Sequence, residues 1–576
     1  MSDSVTAQED FSVSSSYIAL SDFIVDFKPE VSDFFSSRLG KDEFKQVCSL
    51  ACQAPPYTSI RIDLLKVTRK EALYMVSNLI EPFNRLLVEE NREPVQPYLH
   101  EFIQELIIIP SAKSVCPDIE HLRHLPLVVI DRLCAESVLR GSDIYVKGIR
   151  SMSKSCVKGT RVCLAVDLHN GELPRGSDLS HFTGHNLIIG EGVLQLSRAE
   201  VFSMDSGLCI DHIHRLSFDL PPLQQLPDAL LMQNFPSLIT SRIVSPLPEE
   251  TILDCCAAPG NKWSHLAMIM EDKGLVMGMD RSLKKAVDNL LVIKQKFGYQ
   301  SLQIRYQDMT KGVLSEEEEK RLVDQDSSYT LMRPEIMISP LQSKSFQKKL
   351  VRIQKQKERK QRDKQLKRGA DAISPDVIPS VEEQVDHILD RYQQLHKSKQ
   401  QNLKNQKELL LLESNLPSTV PRLLRNLLLA GVNANTARIP GYPREQFDRI
   451  LLDPPCSALG LRPRLSHEVT LEELYGYRNY QRQFISVAIS LLRVGGFLVY
   501  STCTFDPLEN EENVKFILSN FPMELVPIDD EYRFGKKGLS GCGLTEEQCQ
   551  MVQRYNMTEE CNSIGFFISK FRKVDH

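Results

Sequence analysis

A chain of 576 residues that is 42% hydrophobic and 25% charged is too long for one core and has an ordinary globular balance, which excludes a small disulfide-stapled module and a low-complexity chain. Its 70 basic and 75 acidic residues leave a net charge of -5, so no global field draws it to nucleic acid and any such contact has to come from local basic patches. Fourteen cysteines without regular close spacing fit a reducing compartment, and neither "CSLAC" nor "CC" has zinc-ligand form, so no structural metal is expected.

The opening "MSDSVTAQEDFSVSSSYIAL" is acidic and serine-rich, with neither the basic start nor the apolar segment of a secretory signal. Residues 1–16 are expected to be a disordered tail. No apolar run approaches the roughly 20 residues needed to span a bilayer, and no membrane partner is expected. Residues 17–111 mix helix-like stretches such as "RKEALYMVSNLIEPFNRLLVEEN" with short apolar runs and read as a small α/β N-terminal domain. From 112 to 204 the texture changes to short strand-like runs separated by turn residues ("GTRVCLAVDL", "HNLIIGEGVLQL"), which predicts a compact β-barrel.

Over 205–576 strand-like runs ("TILDCC", "GLVMGMD", "LQIRYQD", "FDRILLD", "FLVYSTC") alternate with helix-like segments. "SLKKAVDNLLVIKQKFG" carries Leu283, Val287, Leu290, Leu291 and Phe297 at helical spacing and ends on Gly298, a C-terminal cap. The alternation predicts an α/β fold with a doubly wound parallel sheet that binds ligands at the carboxyl ends of its strands. A polar, basic insertion at about 314–437 interrupts it. "KSFQKKLVRIQKQKERKQRDKQLKRG" is expected to be exposed or disordered for lack of apolar content, with an added nucleic-acid contact or a nuclear import signal as its functional readings. "EEQVDHILDRYQQLHKSKQQNLKNQKELLLLE" leaves a long solvated helix open. A cytoplasmic location is expected, with the nucleus open through the insertion.

Three strand ends carry groups suited to one cofactor. "LDCCAAPGNK" runs a strand into a small-residue turn that opens a helix, and Cys256, Ala257, Ala258, Pro259, Gly260, Asn261 and Lys262 bring backbone close to an anionic or zwitterionic ligand. Asp280 ends the next strand, where a carboxylate takes ribose hydroxyls, and Asp308 ends the third, positioned for adenine. Each aspartate alone reads more readily as a helix cap after a strand, and three in register make that reading weaker. Ribose and adenine groups without a G-x-x-x-x-G-K-[ST] phosphate loop suggest S-adenosylmethionine.

"FDRILLDPPCSALG" then places Asp453 and Cys456 after the fourth strand, and "VYSTCTFDPLENEENV" places Cys503 at the end of another. "DPPC" resembles the D-P-P-Y turn of amino-methyltransferases with cysteine in place of the aromatic residue, which favours attack on a ring carbon. Cytosine accounts for both cysteines: its carbon 5 becomes nucleophilic only after a thiolate adds to carbon 6. Asp453 would stabilise charge at ring nitrogen 3 and the exocyclic amine, and a second acid/base group would assist elimination.

"LDCCAAPGNK", "LLDPPCSALG" and "YSTCTFDPLENEENV" resemble, in order, the signature segments of the Sun-domain (Fmu-type) RNA cytosine-carbon-5 methyltransferases, over about 240–312 and 443–576. Their paired cysteines distinguish them from the DNA enzymes, so DNA is not expected as a partner. "KGIRSMSKSCVKGTRV" and "LIIGEGVLQLSRAEVF" are similar to a PUA RNA-binding domain, which makes 112–204 PUA-like and the whole similar to the PUA-bearing, sixth-type member. The resemblance implies a Rossmann-like methyltransferase domain at 205–576, S-adenosyl-L-methionine as cofactor, and a transfer RNA substrate approached near its acceptor end. It makes Cys503 the nucleophile and Cys456 the helper that resolves the adduct. It puts Cys256 to Lys262, Asp280, Asp308 and Asp453 at the cofactor, with Lys262 also near the base. Lys147, Arg150, Lys154, Lys158 and Arg161 are candidate phosphate contacts. Asp506-Pro507 with Glu509 is expected to start the helix after Cys503. A monomer is expected, although the sequence does not fix the oligomeric state.

The motifs depart from the family at Asn261, where glycine is usual, at Pro454, where a small residue is usual, and at Ala458, where glycine is expected. These departures motivate an alternative, a PUA-type RNA-binding protein with a catalytically silent methyltransferase domain. A further alternative, an N-methyltransferase built on "DPPC", would form no covalent RNA adduct.

Overall fold

The computed structural model describes residues 17–113, 119–122, 124–168, 173–179, 186–223, 225–315, 441–557 and 562–575. The tail at 1–16 and all but the first two residues of the 314–437 insertion lie outside the described residues. The chain divides into two compact units, one of Met1–Cys256, Asn261–Val276 and Arg444–His576, the other of Ala257–Gly260 and Met277–Pro443.

Three larger sheets and a two-stranded pairing of Phe218–Asp219 with Ala112–Lys113 build the first unit. In the first of the larger sheets, Leu230–Met232, Tyr57–Ile62, Leu106–Pro110 and Tyr98–Leu99 pair antiparallel in that order. The helix Arg69–Glu89 covers it. A capping box starts this helix, the Thr68 hydroxyl accepting the Glu71 N–H while Glu71 accepts the Thr68 N–H at 2.8 Å. Ala72, Val76 and Ile80, four residues apart, then bury against Ile60, Ile62, Ile107 and Ile109.

The second sheet takes the strand-rich middle of the chain. Its order is Ile144–Tyr145, Leu208–Arg215, Asn186–Leu194, Arg161–Asp167, Leu127–Asp131 and Ile149–Met152, with Tyr17–Ala19 added in parallel to Asn186–Leu194. Strands from before residue 112 and after residue 204 therefore take part in it.

In the third sheet Thr251–Asp254, Phe447–Leu452 and Leu492–Thr502 run parallel. Phe566–Lys573 lies antiparallel to Leu492–Thr502 and to Met523–Val526, and Gln553–Tyr555 pairs with its first residues. Leu498 to Thr502 are all buried, the continuous pattern of a strand covered on both faces. The N-terminal helices Pro29–Leu39 and Lys41–Ala51 pack beside the loops that leave this sheet. Phe35 meets Phe505 edge-on at 5.1 Å, and the Arg464 N–H donates to the Ala51 carbonyl at 2.7 Å.

The second unit contains the turn Ala257–Gly260, most of the strand Leu275–Asp280, a helical stretch from Leu283 to Phe297, and the strand Leu302–Tyr306. The helical stretch includes a π-helical segment, Ala286–Leu291, and stops at Gly298, whose φ of 73° is the left-handed cap expected there.

Candidate active site

Within the first unit, two adjacent parallel strands deliver the two cysteines. Asp453 follows Phe447–Leu452 directly and Cys503 follows Leu492–Thr502. The Cys456 and Cys503 sulfurs stand 3.3 Å apart, both half-buried. The Gly460 N–H donates to the Cys503 carbonyl at 3.0 Å, and the Gly460 carbonyl accepts the Gly565 N–H at 2.8 Å. A β-carbon at Gly460 would lie 1.9 Å from the Gly565 carbonyl oxygen and 2.8 Å from that of Cys503, so only glycine fits this approach. The Ser457 and Thr504 hydroxyls, each next to a cysteine, share a hydrogen bond of 2.9 Å.

Lys262 and Asp453 form an ion pair of 2.5 Å beside the cysteines. The other Asp453 carboxylate oxygen accepts from the Ser501 hydroxyl at 3.0 Å. Burial acts to lower the Lys262 pKa, but the Asp453 carboxylate outweighs it and holds the ammonium above its ordinary value, with Cys503 adding in the same direction. The Phe566 ring lies 5.4 Å from the Lys262 Nζ. The Cys456 thiol is pushed well up by its hydrogen bond to Cys503, by burial, and by the Cys503, Glu509 and Asp453 charges around it. Burial and these charges favour the protonated form of Cys456, while either thiol can donate across the 3.3 Å contact.

The helix Asn261–Ile269, which carries Lys262, is held from the sheet that contains Tyr57–Ile62. Buried Arg61 donates to the Asn261 carbonyl, to Ser264 Oγ at 2.8 Å and to Gln233 Oε1 at 2.8 Å. One turn along, buried His265 meets Glu105 at 2.9 Å, and Arg242 grips the same carboxylate at 2.6 and 2.5 Å. Burial keeps His265 neutral, down to about pKa 4. Cys256 is half-buried just before this helix.

The remaining sequence-predicted cofactor residues lie in the second unit. The Ala257 N–H donates to the Met279 carbonyl at 2.9 Å, tying the turn to its neighbouring strand. Gly260 has φ 106°, and a β-carbon there would press on Ile293 at 3.2 Å. Asp280 uses Oδ1 for the Ser282 N–H at 2.7 Å, and Asp308 uses Oδ1 for the N–H and hydroxyl of Thr310 at 3.1 and 2.8 Å. Among the described residues the second oxygen of each carboxylate takes no hydrogen bond, which fits a cofactor offering hydroxyl or amine donors.

Sequence reasoning missed several contributors. Arg61 lies far along the chain from the motifs and carries no local signal. Ser501 is in the "YSTC" string, where its place two residues before Cys503 on a strand puts it on the same face. Asp506 and Glu509 were expected at a helix start, but the helix begins at Glu511, and both carboxyls turn inward and are fully buried. Neither caps a helix from solvent.

The parallel strands with functional groups at their carboxyl ends define an α/β methyltransferase. The family described as 16S rRNA methyltransferase RsmB/F matches residues 241–367 and 403–572. The rRNA (cytosine-C(5))-methyltransferase NOP2C of Arabidopsis thaliana is 30% identical over 96% of this chain and 91% of its own length. The tRNA (cytosine(72)-C(5))-methyltransferase NSUN6 of Mus musculus is 26% identical over 95% of this chain and 96% of its own. The crystal structure of NSun6 from Pyrococcus horikoshii with SFG shares the fold with a TM-score of 0.60 at 22% identity, over 96% of this chain and 99% of that one. The chain belongs to the RsmB/F family, S-adenosylmethionine-dependent enzymes that methylate carbon 5 of cytosine in RNA.

Proposed function

We propose that this protein methylates carbon 5 of a cytidine in transfer RNA, near the acceptor end, through a covalent adduct between Cys503 and carbon 6. The observation that carries this reading is the 3.3 Å approach of two sulfurs beside the Lys262–Asp453 ion pair. Relatives named as tRNA (cytosine(72)-C(5))-methyltransferases span nearly all of the chain and support transfer RNA, while NOP2C, named as an rRNA enzyme, spans as much at higher identity and makes ribosomal RNA the competing substrate.

The Cys503 thiolate adds to carbon 6, and Lys262 donates to ring nitrogen 3 while Asp453 accepts from the exocyclic amine, so the electrons displaced by the sulfur are held on the ring. Ser501 and Lys262 each hold one oxygen of Asp453. When bound, S-adenosylmethionine supplies an electrophilic methyl group. The motifs assign its binding to Ala257 to Gly260, Asp280 and Asp308 in the second unit and to Cys256, Asn261, Lys262 and Asp453 in the first. In the last step the carbon-5 proton leaves to water, its bonding pair becomes the carbon 5–carbon 6 double bond, and the carbon 6–sulfur pair returns to Cys503. The Cys456 S–H stabilises that leaving thiolate by hydrogen bonding.

The strands around 127–215 act as a PUA-like RNA-binding module in this reading. Of its five candidate phosphate contacts, Arg150, Lys154 and Arg161 already face Asp131, Asp178 and Glu191, so phosphate has to displace these carboxylates. Lys147 and Lys158 are the stronger candidates. The enzyme works as a monomer on RNA and not on DNA, in the cytoplasm with nuclear entry through the basic insertion. Among the described residues no helix is long and apolar enough to cross a membrane.

The test is transfer of labelled methyl groups to a transfer RNA pool and to ribosomal RNA, followed by nucleoside analysis and mapping. 5-Methylcytidine near the acceptor end of transfer RNA is expected. Label confined to ribosomal RNA, or found on the exocyclic amine, would overturn the reading.

A further inference from the structure

Beneath Cys456 lies a polar cluster with no part in the chemistry above. Glu509, Gln481, Tyr500 and Asn513 are all fully buried. Both Glu509 carboxylate oxygens face the Ser457 N–H, at 3.3 and 3.1 Å. Gln481 Nε2 donates to Glu509 Oε2 and to the Pro455 carbonyl, the latter at 3.1 Å. Glu509 and Gln481 together thus hold the carbonyl before Cys456 and the amide after it. The clamp is itself braced, since the Tyr500 hydroxyl donates to the Glu509 carbonyl at 2.7 Å and Asn513 donates to Gln481 Oε1 at 2.9 Å. A buried network so fully satisfied fixes one geometry for the loop it grips.

The carboxyl is also unusual in its company. Among the described residues no cation pairs with Glu509; the titratable groups around it are Asp506, Cys456, Tyr477 and Tyr500, with Arg554 facing Asp506. Burial raises the Glu509 pKa to about 7, against the hydrogen bonds from Ser457 and Gln481 that lower it. Ionised Glu509 disfavours a thiolate at Cys456. An amide at this position could accept from Gln481 with its carbonyl oxygen, but would turn its NH2 toward the Ser457 N–H that both carboxylate oxygens now face, and would place no charge near the sulfur.

We propose that Glu509 is a positioning residue for adduct breakdown: it clamps the Pro455–Ser457 backbone so that the Cys456 sulfur faces Cys503, and its negative charge keeps Cys456 a hydrogen-bond donor. The inference rests on the Cys503 adduct chemistry proposed above. The step it serves is opening of the carbon 6–sulfur bond, with the electron pair passing to Cys503 and the carbon-5 proton to water. Addition and methyl transfer do not need the Cys456 proton, so Glu509 separates the two halves of the cycle.

The test is single-turnover methylation of a transfer RNA transcript by the full chain, with methyl transfer and release of free RNA timed separately between pH 5.5 and 8.5. For Glu509→Gln, methyl transfer within about threefold of wild type and release slowed at least tenfold are expected. Wild-type release should fall as pH drops through about 7, because protonated Glu509 resembles the amide. Release by the variant should be slow and lack that limb. The variant Glu509→Asp keeps the carboxylate, shortened by one methylene, and should retain more of the release rate than Glu509→Gln. Release by Glu509→Gln at the wild-type rate, or equal slowing of both steps with a wild-type pH profile, overturns the proposal. If the variants do not fold, the wild-type profile decides: release without an acid limb overturns it. A wild type that forms 5-methylcytidine with no adduct at Cys503 overturns the underlying reading as well, an outcome distinct from loss of the Glu509 role alone.

Discussion

The Cys456 and Cys503 sulfurs lie 3.3 Å apart at the ends of neighbouring parallel strands, close enough for one thiol to donate to the other. Either thiol can donate across this contact, so the roles of the two cysteines are separated by what each variant accumulates. Cys456→Ala should leave addition and methyl transfer intact but slow breakdown, so that protein and RNA accumulate as one species in a denaturing gel. Absence of that species, with free methylated RNA released at the wild-type rate, would remove Cys456 from the mechanism.

The Lys262–Asp453 pair should behave as a unit. Lys262→Met leaves Asp453 with only Ser501, and Asp453→Asn removes the counter-charge of a lysine that burial would otherwise neutralise. Each change should lower kcat by roughly 10²-fold, and the double variant should be little worse than either single one. Independent, multiplying losses in steady-state kinetics would show that the two residues act separately.

Gly460→Ala should damage the site from the backbone. The added carbon would meet two carbonyl oxygens, one belonging to Cys503. A loss of about 1–3 kcal/mol in stability is expected from such overpacking, together with a fall in methyl transfer larger than the fall in RNA affinity. Thermal unfolding and binding measurements on the variant check both parts.

Stability should fall on mild acidification. Buried His265 and His467 are both held near pKa 4 by loss of hydration, below the ordinary value of 6.5. The unfolded chain takes up protons at these histidines as pH drops through 6.5, while the folded chain stays neutral until about 4. Their effect is therefore absent at pH 7 and grows as pH falls, by on the order of 2 kcal/mol per histidine between pH 7 and 5. His265→Asn should narrow the difference in Tm between pH 7 and pH 5. An unchanged difference would show that His265 does not titrate in this way.

Short strings placed much of the candidate site because polar groups at strand ends lie next to the apolar run that positions them. Asp453, Cys456 and Cys503 follow their strands within a few residues, and Lys262 opens the helix after another. Support from elsewhere in the chain was not legible. Tyr17–Ala19 and Leu230–Met232 join sheets made by distant segments, and Arg61 reaches the Lys262 helix across nearly two hundred residues of sequence. Asp506 and Glu509 misled for a physical reason: acidic residues before a helix ordinarily stabilise its N-terminus from solvent. Here Gln481 and the Ser457 amide give Glu509 buried partners, which no local pattern announces.

The most direct test of the account is to isolate the covalent protein–RNA complex formed with a transfer RNA carrying 5-azacytidine and to identify the modified residue by peptide mass spectrometry. The account predicts a nucleotide on Cys503, formed by wild type and by Cys456→Ala and absent from Cys503→Ala. A nucleotide on Cys456, or an adduct that survives in Cys503→Ala, would contradict it.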